Sequence, residues 1–238
     1  MAPTPQVSII TSTYNRSALL RRAIASVRAQ RGFDAWEMCI VGDCTPDDSE
    51  TVVASFGDPR LRFYNLPVKS PPRAHGALAK NHAIFQMARA PYIAYLDDDD
   101  TYGPDYLRTM MSEVAKHPEC PLVYCRVHFV DKDTGRRILG NPFRGAYKWS
   151  RENLMRYNYL ACNGVIHTRA VLDEVGGWDP GTFLDDWDLW KRIAARHDFH
   201  YVNRALSDVY VKADPFWRRL VQKGWKILRH GRRMQDQV

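Results

Sequence analysis

Tyr92-Ile-Ala-Tyr-Leu96 runs directly into Asp97-Asp98-Asp99-Asp100. An apolar stretch of that length and aromatic content reads as a buried strand. Four consecutive carboxylates at its end repel one another, and some are driven towards protonation unless a cation is near. Hard divalent cations such as Mg2+ or Mn2+ prefer oxygen ligands, and Mg2+ takes one or two carboxylates plus phosphate oxygens. The run therefore reads as a metal site at a strand end. The alternative is a solvated acidic turn capping the helix after Pro104.

The same pattern of a strand ending in polar residues occurs twice upstream. Val7–Thr13 is a β-branched run that stops at Tyr14-Asn15-Arg16-Ser17, where Ser17 can cap a helix. Leu19, Leu20, Ala23, Ile24 and Val27 then recur at helical spacing. Trp36–Val41 reads as a second strand, cut by Gly42-Asp43. A helix is predicted from about Asp48 to Phe56, a short strand over Leu61–Leu66 and a Pro-containing loop over Pro67–Gly76. Further helices are predicted from Ala77 to about Arg89, after Pro104 through Val114, and from Trp187 to about Arg196. Another strand is predicted over Leu122–Val127.

Strand–helix alternation predicts an α/β fold with a mostly parallel central sheet. Ligands of such sheets sit beyond the carboxyl ends of the strands. Tyr14-Asn15-Arg16, Asp43 and Asp97–Asp100 are therefore expected to converge on one crevice. No linker or internal repeat interrupts the chain, so one domain is expected over 1–214. Its first half, over about 6–127, alternates regularly, and its second, over 128–214, is less regular.

A second acidic cluster, Asp185-Asp186-Trp187-Asp188, precedes an amphipathic helix whose apolar face carries Trp190, Ile193 and Ala194. Asp is favoured at a helix N-terminus, where the dipole stabilises negative charge. The same dipole keeps a carboxylate ionised, as a catalytic base requires, so capping and catalysis are compatible.

With 12% aromatics, 14 Gly and 14 Pro among 238 residues, the chain is neither disordered nor collagen-like. No apolar run reaches the roughly 18 residues of a membrane span, and the N-terminus has no signal-peptide pattern. The five cysteines are odd in number and lack a Cys-x-x-Cys pair, so reduced thiols in a cytoplasmic protein are expected. The net charge of +7 is local: residues 215–238 carry +6 and the rest +1. The balanced body argues against nucleic acid as a partner. From Pro215 onward, Trp217, Leu220, Val221, Gly224, Trp225 and Leu228 recur at three- and four-residue steps among seven basic residues. This predicts a basic amphipathic helix, either docked on the domain or lying on an anionic membrane.

Six segments, taken together and in order, resemble family 2 inverting glycosyltransferases of the GT-A fold. They are Val7–Arg16, Val41–Asp43, Ala79–Asn81, Leu96–Asp100, Gly176–Asp179 and Asp185–Arg192. The resemblance covers roughly residues 6–212, and implies a nucleotide-binding half over about 6–127 and an acceptor-side half over 128–214. It implies a nucleoside diphosphate sugar donor, a Mn2+ or Mg2+ cofactor, and a carbohydrate or lipid-linked acceptor. It places Thr11, Tyr14 and Arg16 around the base and ribose. Asp43 matches an aspartate that accepts from a uracil-type N–H, favouring UDP or dTDP donors. The family often has two aspartates there, whereas this chain has Gly42-Asp43. Asp99 matches the metal ligand, and Asp97 or Asp98 would contact the ribose or a metal-bound water. Asp186 matches the general base, with Asp185 as the neighbouring candidate and Asp188 facing elsewhere.

Beside these, Arg73, His75, Lys80 and Asn81 lie on or near a loop where a cation could hold phosphate. His167, His197 and His200 are candidates for a third metal ligand from the second half. Trp149, Tyr157, Tyr159 and Trp178 could stack on sugars or pack the core. Gly176-Gly177 reads as a turn. A sugar nucleotidyltransferase would share the carboxylates, but such enzymes usually have a Gly-rich loop, and Ser12-Thr-Tyr-Asn-Arg16 has none. A non-catalytic sugar-nucleotide binder is the third reading, opposed by two intact carboxylate clusters.

Overall fold

The computed structural model describes residues 4–72, 74, 76–138, 148–182 and 185–212. In chain order the elements are β1 (Val7–Thr13), α1 (Ser17–Arg28), β2 (Trp36–Gly42), α2 (Ser49–Ala54), β3 (Leu61–Asn65) and α3 (Ala77–His82). There follow β4 (Tyr92–Tyr95), β5 (Thr101–Tyr102), α4 (Tyr106–Lys116), β6 (Leu122–Asp131) and α5 (Arg151–Arg156). The last are β7 (Val165–Thr168), α6 (Val171–Val175), α7 (Asp185–Ala194) and β8 (Phe199–Val211).

The strands form one eight-stranded sheet in the order β3-β2-β1-β4-β7-β6-β8-β5. Pairing is parallel for β1 with β2 and β4, β2 with β3, and β6 with β8. It is antiparallel for β4 with β7, β6 with β7, and β5 with β8. The expected mostly parallel α/β sheet is thus present, and strands from both halves share it. From β1 the chain winds outward through β2 and β3, then returns to add β4 on the other side of β1. That reversal leaves a crevice beyond the carboxyl ends of β1 and β4.

Alternation along the strands supplies two apolar faces. Ile10, Cys39, Val41 and Tyr95 pack against α3, α6 and α7. Val7, Ile9, Met38, Ile40 and Ala94 pack against α1 and α4. All five cysteines are free. Among the described residues, no helix is long and apolar enough to cross a membrane.

Several boundaries differ from the sequence reading. Ser17 is already helical and does not cap α1; its N–H is taken instead by Asp47 Oδ2 at 2.9 Å. The helix from Ala77 ends as a wider π turn over Ala83–Met87, closed by Ala88 N–H on Ala83 C=O at 2.8 Å. Arg62 and Arg169 donate to the carbonyls of Met87 and Ala88, which a helix end leaves without partners. Pro104 stands before the N-cap Asp105, outside the first turn of α4. The acidic cluster forms the first turn of α7 itself. β6 runs on to Asp131 because β8 continues beside it through a register shift. The predicted helix over 215–238 lies outside the described residues.

Candidate active site

Beyond the ends of β1, β2 and β4 lies a cavity of about 340 Å3. Its wall is made by Ser12, Thr13, Tyr14, Arg16, Asp43, Gly76, Lys80, Asp97, Asp98 and Asp99. The three strand ends singled out in the sequence therefore meet in one place.

The four aspartates are not equivalent. Asp98 is buried, with Oδ2 accepting from Thr13 Oγ1 at 2.8 Å and Oδ1 from Arg16 Nη1 at 3.1 Å. The same Arg16 nitrogen reaches Asp99 Oδ2 at 3.0 Å. Asp100 is buried on the far side, where Oδ1 accepts the Tyr210 N–H at 2.8 Å and Oδ2 accepts from Asn163. Asn163 also receives the Asp97 N–H at 3.3 Å, so one amide fixes both ends of the run. Arg22 donates to the Asp99 carbonyl and stacks over the Tyr210 ring.

Burial pushes Asp98 up to about 6 and, with repulsion from Asp97, pushes Asp100 up to about 8. Burial and Asp97 also raise Asp99. Among the described residues, the Asp97 carboxylate makes no hydrogen bond or ion pair. Asp97 and Asp99 both face the cavity with oxygens to spare, two positions apart. Two hard oxygen donors with excess negative charge fit a divalent cation.

Asp43 sits just past β2, where its Oδ1 accepts the Ser70 N–H at 2.9 Å and its Oδ2 meets Lys69 Nζ at 2.8 Å. Burial alone would raise its pKa, but Lys69 and Ser70 hold it below the usual carboxylate range. Lys69 Nζ also lies 3.0 Å from the centre of the Tyr14 ring. Gly42 has a spatial cause: a Cβ there would stand 2.6 Å from Asn65 Oδ1 and 2.8 Å from Thr45 Cγ2. Asn65 is committed to the Thr45 backbone, so no aspartate fits at this position. Gly42→Ala is expected to destabilise the protein by about 1–3 kcal/mol, read as a lower melting temperature.

The second carboxylate pair opens α7. Asp186 Oδ1 accepts the Trp187 N–H at 2.6 Å and Oδ2 accepts from Asn158 at 3.1 Å. Asp185 Oδ1 accepts the Asp186 N–H at 3.0 Å. Burial, assisted by repulsion from Asp185, lifts Asp186 to about 6. Asp188 turns away to Arg192 Nε at 2.8 Å, as expected.

Lys80 joins the two clusters. Its side chain is buried in the cavity wall, with Nζ 3.9 Å from Asp185 Oδ2 and 4.1 Å from the centre of the Trp178 ring. Burial opposes its charge, but Cys162, Asp97, Asp185 and Asp186 outweigh that and raise its pKa. The next residue, Asn81, exchanges two hydrogen bonds with the Trp178 backbone, at 2.8 and 2.9 Å. A Cβ on Gly177 would come within 2.4 Å of Asn81 Oδ1, so this glycine allows the close approach. Gly176, at φ +79°, makes the turn.

Other expected residues lie elsewhere. Thr11 does not reach the cavity: it is two residues inside β1, and its hydroxyl is used by the Leu96 carbonyl at 2.6 Å. None of the three histidines approaches the aspartate run. His167 is buried between Tyr95 Oη and the Thr168 carbonyl, each at 2.8 Å, and burial lowers its pKa to about 4. His197 pairs with Glu174 at 2.8 Å and His200 with Glu113 at 3.2 Å. Trp178 and Tyr159 are core residues, and Trp149 packs on Phe199. Tyr157 is half-buried against the core. Arg73 and His75 lie outside the described residues. Lys69, Asn158 and Asn163 were not anticipated, because each meets its carboxylate from a distant part of the chain.

Solved structures share this architecture. Staphylococcus aureus TarS 1-349 in complex with UDP superposes with a TM-score of 0.69 at 18% identity, covering 92% of this chain and 65% of that one. Mannosyltransferase PcManGT from Pyrobaculum calidifontis, in complex with GDP-Man and Mn2+, gives 0.70 at 18% identity, covering 92% and 61%. The fold is thus that of the GT-A glycosyltransferases. A family model described as "Glycosyl transferase family 2" matches residues 8–173, and the chain belongs to that family. Protein CgeD of Bacillus subtilis is 28% identical over 225 residues, 89% of this chain and 51% of its own length. An uncharacterised protein of Sinorhizobium fredii, y4gI, is 31% identical over 213 residues, 85% of this chain and 22% of its own. The chain therefore spans between about a fifth and a half of these curated relatives. The Escherichia coli UDP-Glc:alpha-D-GlcNAc-diphosphoundecaprenol beta-1,3-glucosyltransferase WfgD is 24% identical, over 83% of this chain and 73% of its own length.

Proposed function

We propose that the protein is a metal-dependent inverting glycosyltransferase moving a sugar from a UDP- or dTDP-type donor to an acceptor hydroxyl. The observation that carries this reading is the arrangement of two carboxylate clusters on either side of buried Lys80. One cluster lines a crevice at the sheet's switch point, and the other opens a helix.

In this reading Tyr14 and Asp43 receive the base, with Arg16 and Asp97 or Asp98 beside the ribose. Asp98 Oδ1 and Oδ2 are already engaged by Arg16 and Thr13, which leaves Asp97 the freer contact. Asp97 and Asp99 would hold Mn2+ or Mg2+, which when bound offsets charge on the diphosphate. Lys80, which lines the same cavity, would meet the phosphate charge. Asp186 takes the proton from the acceptor hydroxyl as that oxygen bonds to the anomeric carbon. The bond to the nucleoside diphosphate breaks on the opposite face, so configuration inverts in one displacement.

Lys69 occupies Asp43 and Tyr14 in the free protein, so base binding must displace its ammonium. Lys69→Ala is expected to tighten uridine diphosphate binding by about 2- to 5-fold, the worth of a half-exposed ion pair. Weaker binding in calorimetry would instead make Lys69 a direct nucleotide ligand. The reading as a whole is tested by a donor screen with Mn2+ and Mg2+. Slow hydrolysis or protection by UDP- or dTDP-sugars supports it, whereas pyrophosphate release from a nucleoside triphosphate would mark a nucleotidyltransferase.

A lipid-linked acceptor at the cytoplasmic membrane face is part of the proposal, supported by the lipid diphosphate in WfgD's name and the basic run over 215–238. Co-sedimentation with anionic liposomes is expected to fall sharply when the chain is cut after Asp214 or the salt is raised.

A further inference from the structure

Glu113, His117 and His200 stand apart from the catalytic crevice. Glu113 lies in the last turn of α4, and His117 is the residue that caps its end, with its N–H on the Glu113 carbonyl at 3.1 Å. His200 comes across to them from the beginning of β8. One carboxylate oxygen and one nitrogen of each ring lie within 4.8 Å of one another. We propose that these three side chains form a second divalent-metal site, of zinc type, that ties α4 to β8.

The donor set is the first argument. Two imidazoles and a carboxylate form a borderline set suited to Zn2+ and its neighbours, unlike the all-oxygen set at Asp97 and Asp99. Tetrahedral zinc with bonds of about 2.0–2.1 Å needs ligand atoms roughly 3.4 Å apart. Glu113 Oε2 and His200 Nε2 are already 3.2 Å apart, close to that span, and closing the site requires one of the two stacked imidazoles to turn out of the stack so that both aim a nitrogen at the ion.

The surroundings are the second argument. The His117 and His200 rings lie face to face, 3.5 Å between centroids, which brings both imidazoles to one place. His117 Nδ1 lies 3.1 Å from Glu119 Oε1, the carboxylate partner that orients a metal-bound histidine and fixes its tautomer. Lys116 takes only Glu113 Oε1, at 2.7 Å, and so leaves Oε2 for the ion. The three side chains are between 22% and 34% exposed, which gives an ion access and a water the fourth position.

The site's effect is structural. Further along β8, Tyr210 supplies the N–H that anchors Asp100. A metal tie at the strand's other end would secure the element that backs the aspartate run.

The test uses the full chain stripped with chelator and titrated with Zn2+ and Co2+. Bound zinc is read by elemental analysis, and nitrogen ligation by the visible absorption of the Co2+ form. One nitrogen-ligated metal per chain is expected in the parent and in Asp99→Ala, and none in His117→Gln or His200→Gln, whatever zinc the all-oxygen site at Asp97 and Asp99 takes. Zinc should raise the melting temperature of the first pair by about 3 °C or more, and leave the second pair unmoved. Metal-free melting temperatures equal to the parent's establish that the histidine variants fold. Nitrogen-ligated binding that survives both histidine variants, disappears in Asp99→Ala, or is absent from the parent at micromolar ion would overturn the proposal. Failure of the donor screen would leave this result unaffected.

Discussion

Asp186→Asn is expected to lower turnover at least about a hundredfold while leaving donor affinity nearly unchanged. The factor is the low end for loss of general-base help. The Trp187 N–H and Asn158 already hold the Asp186 carboxylate at the first turn of α7, and asparagine can keep the first of these bonds. The variant therefore removes the proton acceptor with little change in shape. The check is turnover of Asp186→Asn beside Asp185→Asn; if only the latter is inactive, the base is Asp185. The parent's pH profile carries a matching sign. Burial lifts Asp186 to about 6, so the ionised base fills in as pH rises through 6. Turnover should fall below that pH, and an acid limb near the ordinary carboxylate value would contradict the assignment. The same shift carries a stability cost. A carboxylate whose pKa is raised by folding destabilises the native state once pH exceeds its unfolded value near 3.8. Asp186→Asn should therefore melt above the parent at pH 7.5, by about 2–4 °C for each kcal/mol relieved.

Asp99→Ala should abolish the gain in nucleoside diphosphate affinity that Mn2+ gives the parent, with the fold intact. Asp99 lies at the crevice mouth, with its carboxylate bonded only to Arg16 among the described residues. Its loss therefore leaves no buried partner stranded. Asp98→Ala is a different experiment: it strips a buried network from Thr13 and Arg16 and should lower stability as well. Calorimetry of uridine diphosphate with and without Mn2+ decides. Equal metal-dependent affinity in Asp99→Ala and parent would remove Asp99 from the metal site.

The first half of the chain was legible because its strands are unbroken apolar runs ending in polar turns, as at Val7–Thr13 and Tyr92–Leu96. Strand ends fixed by topology then bring Tyr14, Asp43 and Asp97 together, which made the crevice readable before any contact was known. The second half hides its elements. β8 mixes His200, Asn203, Arg204, Ser207 and Asp208 among its apolar residues and shows no regular alternation of burial, so periodicity gave no strand. Asn163 and Asn158 carry no motif. Each matters only because the fold sets an amide beside a carboxylate, 63 and 28 residues away respectively. Lys69 was missed for the same reason, since a loop lysine has no pattern until Asp43 and Tyr14 are seen around it. Thr11 shows the converse. Its place in the motif was plain, but depth in the strand commits its hydroxyl to Leu96.

The hydrogen bond from Tyr210 to Asp100 also sets a tether length. An extended residue spans at most about 3.6 Å, so the five steps of sequence from Tyr210 to Pro215, where the basic segment starts, amount to at most about 18 Å of chain. An anionic surface gripped by that segment would draw the crevice to within a few nanometres of itself. With the proposed membrane contact, an acceptor embedded in that surface would be met within that reach, and the search for it would run in two dimensions.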